Sequence, residues 1–90
     1  MKPTNAIPTK TARPIYAIAE EISSEWKKPY FGAVPYLEAM LALGSIKENY
    51  YLDTAESIVI YFLSNAQTWR GETARRIKAE LKGILKEVNV

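Results

Sequence analysis

The last third of the chain, residues 68–90 (TWRGETARRIKAELKGILKEVNV), constrains the fold more than any other segment. Ala74, Ile77, Leu81, Ile84 and Val88 recur at alternating steps of three and four, which places them on one stripe of an α-helix. A second stripe of the same helix is cationic: Arg75, Lys78, Lys82 and Lys86. The first stripe needs an apolar partner. The second is free for solvent or for an anion. Glu72, Arg76 and Glu80 stand at i,i+4 spacing and are expected to pair with one another along the helix. Thr68 is the expected N-cap, with Trp69 and Arg70 in the first turn.

Three more helices are predicted upstream. The first runs from about Pro14 to Lys28, with Ile15, Ile18, Ala19, Ile22 and Trp26 on its apolar side. Pro14 suits a first turn, Lys27 and Lys28 favour the C-terminal end of the dipole, and Pro29 stops the helix. The second opens near Pro35 and ends at Gly44, read as a left-handed cap. Glu38 is the only charge between Ala33 and Ile46, so this helix is expected in the interior. The third runs from Thr54 to about Asn65, with Asp53 as N-cap and Glu56 three residues on. Its centre, Ile58–Leu63, is β-branched enough to read as a buried strand; the capping signal and the length decide for helix. Ser45–Leu52 is a connector, too long for the turn of a conventional helix-turn-helix.

The expected fold is therefore all-α: a compact four-helix domain over residues 13–90, with a flexible basic N-terminal arm over residues 1–12. Ile22, Trp26, Leu37, Leu41, Ile58, Phe62, Ile77, Leu81 and Ile84 are the expected core. The nearly uncharged second helix and the six successive apolar residues of the third leave surplus apolar surface, which points to a homodimer.

Ninety residues make one domain with a thin stability margin. Without histidine or cysteine, the chain has neither the commonest general base nor thiol or imidazole metal ligands. We therefore expect no enzyme activity, no metal and no cofactor. The N-terminus lacks the apolar run of a signal peptide, and no segment approaches the roughly 20 residues of a membrane span, so a cytoplasmic location is expected. Charge is unevenly spread. Residues 1–13 carry three bases and no acid, residues 14–67 three bases against seven acids, and residues 68–90 six bases against three acids. Such asymmetry can steer a charged partner.

Two sets of residues are candidates for function. Arg70, Arg75, Lys78, Lys82 and Lys86 can track successive phosphates, giving weak nucleic-acid binding directed at the backbone. The plainer alternative is a solvated helix face, partly neutralised by Glu72, Glu80 and Glu87. Trp69 and Arg70, with Tyr30, Phe31, Tyr50 and Tyr51, are candidates for contact with a protein partner. Trp69 also fits as a plug for the end of the bundle, with Arg70 paired to a carboxylate of the first or third helix. Glu21 and Glu25 share a helix face, but no further ligands at a recognised spacing accompany them.

Tyr30–Met40 (YFGAVPYLEAM), Tyr61–Leu81 (YFLSNAQTWRGETARRIKAEL) and the EISSEWK around Trp26 resemble short uncharacterised bacterial proteins of about this length, some carried by phages and mobile elements. The resemblance covers about residues 13–85. It implies a prokaryotic cytoplasmic setting and an accessory role, and it implies no catalytic residues. The leading expectation is a non-enzymatic interaction or regulatory module; the alternative is the weak phosphate-directed nucleic-acid binder.

Overall fold

The computed structural model describes residues 13–88, so the expected N-terminal arm lies outside the described residues. Four α-helices are present among them: α1 (Ile15–Glu25), α2 (Val34–Met40), α3 (Ala55–Ser64) and α4 (Glu72–Val88). A 3₁₀ turn, Phe31–Ala33, leads into α2. A small antiparallel hairpin, β1 (Asn49–Tyr50) and β2 (Asp53–Thr54), stands before α3, with Asn49 opposite Thr54 and Tyr50 opposite Asp53. The fold is thus mostly helical but not purely so. No described helix is long and apolar enough to cross a membrane.

The start of α1 is capped from a distance. The Ile15 and Tyr16 N–H groups donate to the carbonyls of Gly44 and Leu43 at 3.0 and 2.8 Å. Two amides that a helix N-terminus leaves unpaired are thereby satisfied by the loop after α2. Gly44 is consequently not a left-handed cap. Its own N–H donates to Glu48 Oε1 at 2.8 Å, and a Cβ there would lie 3.0 Å from the other Glu48 oxygen. A positive φ does not explain this glycine, and the Glu48 carboxylate beside it is the movable end of an exposed side chain.

Helix α1 ends three residues earlier than the sequence suggests. Trp26 is its C-cap, in extended conformation, with its N–H bonded to the Ile22 carbonyl. Pro29 has no N–H to offer the Glu25 carbonyl, so Lys27 and Lys28 lie beyond the last turn. Helix α2 is also short. After Met40 the chain tightens into i→i+3 bonds, Ala42 to Ala39 and Leu43 to Met40. This rotation corrects the expected core: Leu41 is 41% exposed and Leu43, at 1%, is buried instead.

The third helix forms as expected, with Ile58, Val59 and Phe62 buried and Ile60 and Tyr61 exposed. Its cap is shifted by one residue. Asp53 is held in β2, and Thr54 Oγ1 accepts the Ser57 N–H at 3.1 Å while Ser57 Oγ donates to the Thr54 carbonyl at 2.9 Å. At the other end the Asn65 side-chain amide donates to the Tyr61 carbonyl. Helix α4 begins at Glu72, not at Thr68. Gly71 occupies the turn at a φ of 114°, a conformation costly for any residue with a Cβ, and its carbonyl accepts the Arg75 N–H.

One core joins the four helices. Ile15, Ile18 and Ile22 of α1 meet Met40 and Leu43, Val59 and Phe62 of α3, and Ile77 and Leu81 of α4. Ile84 is only half-buried. Trp26 stacks on Trp69 with ring centroids 5.6 Å apart, and presents its edge to Phe62 at 6.3 Å.

The exchange of Leu41 for Leu43 is testable. Leu43→Ala should cost about 2–5 kcal/mol, as fully buried leucines do, and Leu41→Ala under about 1 kcal/mol. Urea unfolding of the two variants measures both; equal losses would restore Leu41 to the core.

Candidate functional site

Two carboxylates, Glu21 of α1 and Glu80 of α4, are committed to the side of α4 that faces α1. Arg13, just before α1, donates to both oxygens of Glu80 at 2.9 and 2.7 Å and lies 3.0 Å from Glu21. Arg76 donates to the other oxygen of Glu21. Two guanidiniums and two carboxylates thus lock α1 and α4 together. The Glu80 hydrogen bonds hold the Arg13 guanidinium well above its ordinary pKa, and Arg76, then Arg13, hold the Glu21 carboxyl below its own. The expected Glu72–Arg76–Glu80 ladder does not form, because Arg76 pairs with Glu21 of α1 and Glu80 with Arg13 just before it.

The cationic stripe is left without these acids. Among the described residues, Arg70, Arg75, Lys78, Lys82 and Lys86 enter no ion pair. The expected pairing of Arg70 with a carboxylate of α1 or α3 is therefore absent. Lys78 is half-buried, and its ammonium donates to the Trp69 carbonyl at 2.7 Å. Burial first, then the positive charges of Lys82 and Arg70, push the Lys78 pKa down. A cavity of about 310 Å³ opens beside Arg70, Arg75 and Lys78. Farther along α4 a shallow groove of about 520 Å³ runs between Lys82, Gly83 and Lys86.

The protein-contact candidates divide. Trp69 is 5% exposed and belongs to the core, so it is withdrawn from the contact surface. Tyr50 is half-buried against the core, its ring edge-on to Tyr51 at 4.8 Å. Tyr30 and Phe31 pack on each other at 4.9 Å, with Phe31 79% exposed. Tyr51 is 86% exposed, at a φ of 56°, and Leu52 beside it is fully exposed. Leu52 and Ile60 are exposed apolar residues that the sequence does not single out, and Tyr61, one of six tyrosines, is half-exposed beside Ile60. The hairpin has no Asn-Gly or Gly-rich signal, so the tip position of Leu52 leaves no mark in the sequence. Exposed acids, Glu38, Glu48 and Asp53, belong to the same half of the chain, where Lys47 is the only base between Pro29 and Gln67.

Glu21, a candidate for carboxylate chemistry only as a pair with Glu25, is occupied by two guanidiniums, and Glu25 is exposed. No protein-family model, no curated protein and no solved structure matches the chain.

The Glu21 pairing sets a pH dependence. Its folded-state pKa lies below the ordinary 4.5, so on acidification the unfolded chain takes up the proton first. The stabilisation is fully present above pH 4.5 and disappears as pH falls through the folded value. Urea midpoints of the native chain should fall over that acidic window, and Glu21→Gln should flatten this part of the profile. An unchanged profile in the variant would show the pair to be energetically idle.

Proposed function

We propose that the chain is a non-enzymatic interaction module, acting in a prokaryotic cytoplasm by contact with a protein partner, in an accessory role of the kind the resemblance to phage and mobile-element proteins implies. The observation that supports this reading best is the hairpin tip. A tyrosine held at positive φ and a fully exposed leucine sit side by side on a two-residue turn. Glycine would relieve the backbone there, and polar residues would be better solvated. Burying the two side chains in a partner would recover about 1.5–3 kcal/mol each. The acids of the surrounding segment favour a partner whose apolar cleft is bordered by cations.

In-cell photo-crosslinking tests it. A photoreactive residue at Leu52 should give a discrete adduct, and one at Ser23 on the exposed side of α1 should give none. Absence of an adduct at Leu52, or the same products from both positions, would overturn the reading. An adduct of twice the 10.2 kDa chain mass would identify the partner as a second copy, the homodimer expected from the sequence.

A second reading, backbone-directed nucleic-acid binding by α4, is favoured by the withdrawal of Glu80 toward Arg13. Lys82 and Lys86 stand one turn apart, exposed, along the groove. Binding should then be weak, with a Kd of roughly 10⁻⁴ to 10⁻⁶ M, sequence-independent and steeply salt-dependent. Lys82→Gln with Lys86→Gln should reduce the slope of log K against log salt by about two. Filter binding at a series of salt concentrations measures it. An unaltered slope would return these lysines to the role of a solvated face.

A further inference from the structure

We infer that the head of α4 carries a discrete pocket for one phosphoryl dianion, formed by Arg70, Arg75 and Lys78. The inference does not depend on the hairpin reading, and it differs from the track along α4 in using one anion and one place.

Three cations from two directions line the 310 Å³ cavity: Arg70 from the connector after α3, and Arg75 and Lys78 from the first two turns of α4. Gln67 and Trp69 line it too. The cleft is open to solvent and wide enough to admit a phosphate and the first atoms of whatever bears it. Lys78 is not a mobile surface lysine. Its ammonium is anchored on the Trp69 carbonyl, and Trp69 is itself locked in the core. This donor is in place before a ligand arrives, which lowers the cost of binding.

The charge balance gives the ligand its class. Arg13 and Arg76 have carboxylate partners within the fold, whereas Arg70, Arg75 and Lys78 have none among the described residues. Glu72, the nearest acid in sequence, pairs with none of the three. A singly charged carboxylate would answer one of three positive charges. A phosphoryl dianion answers two, and its oxygens match the forked guanidiniums. Recognition stops at the phosphoryl group. Trp69 has one indole face stacked against Trp26 and is only 5% exposed, so it offers little surface to hold a base. The same chemistry is offered by a free phosphate and by the terminal phosphate of a nucleic acid strand.

The test is a titration of the ¹⁵N-labelled full chain with inorganic phosphate at constant ionic strength, read from the amides of residues 67–78 and from tryptophan fluorescence. A saturable one-to-one response that chloride does not reproduce is expected. Arg70→Gln and Arg75→Gln should each weaken it about tenfold or more, the loss expected for a charge-assisted hydrogen bond. Lys82→Gln with Lys86→Gln should leave it unchanged, so failure of the α4 track and failure of this pocket are told apart. Short oligonucleotides with a 5′-phosphate or a 5′-hydroxyl form the second arm. A response confined to the phosphorylated one, and tighter than inorganic phosphate, assigns the source to a strand end; equal affinity assigns it to a small phosphate. A linear, chloride-like response, or shifts centred on Lys82 and Lys86, would overturn the pocket. The amide spectrum of each variant shows directly that it remains folded.

Discussion

The stack of Trp26 on Trp69 is the contact on which the rest of the molecule depends. It joins the end of α1 to the connector before α4, two points forty-three residues apart in sequence, face to face at 5.6 Å. Inward rotation of Trp26 coincides with the end of α1. Inward rotation of Trp69 takes that residue out of the helix it was expected to begin, so the turn falls on Gly71 and α4 starts at Glu72. The Trp69 carbonyl is then fixed where Lys78 can reach it. The candidate anion cleft is therefore a consequence of core packing, and its lysine is positioned by a largely buried aromatic pair.

Electrostatics completes the division of α4 into sides. The Arg13–Glu80 and Glu21–Arg76 contacts lie where α1 meets α4, and both pairs are partly exposed, so their net contribution to stability is modest. Their larger effect is on placement. Glu80, drawn toward Arg13, is one α4 carboxylate fewer beside the stripe that runs through Arg75, Lys78, Lys82 and Lys86. A helix whose net charge is small can in this way present a surface of one sign, and net charge alone conceals it.

The helices were legible in the sequence because their apolar periods are long; their caps were not, since Gly44, Asp53 and Thr68 do not cap as local pattern suggests. The buried stripe of α1, the interior of α3 and Ala74, Ile77 and Leu81 of α4 fall where periodicity puts them, while Ile84 is only half-buried. What escaped depends on contacts remote in sequence. The amides at the head of α1 are satisfied by Leu43 and Gly44, which no local pattern announces. Leu41 and Leu43 are equally apolar, and only the 3₁₀ tightening after Met40 decides between them. The hairpin uses neither Gly nor Asn at its tip and pairs only two residues on each side, so it resembled an irregular connector. For the site, the cation stripe was plain from spacing, but the convergence of Arg70 with Lys78 required the position of Trp69. The exposure of Leu52 required the hairpin.

The two candidate surfaces sit at opposite ends of one rigid element. The hairpin feeds directly into the N-terminus of α3, and the connector bearing Trp69 and Arg70 leaves its C-terminus. Ten helical residues separate them, a length of about 15 Å at 1.5 Å per residue. Among the described residues the hairpin tip and the cations at the head of α4 share no hydrogen-bond or ion-pair partner. Sites that far apart, with no common partner, act nearly additively. A partner gripping Tyr51 and Leu52 would leave the phosphoryl pocket open, and an anion beside Lys78 would leave the tip free. The tip stands clear of the core that Phe62, Ile77 and Leu81 share, whereas the anion cleft leans on it through Trp69, so core substitutions near Trp69 should disturb the cleft and spare the tip.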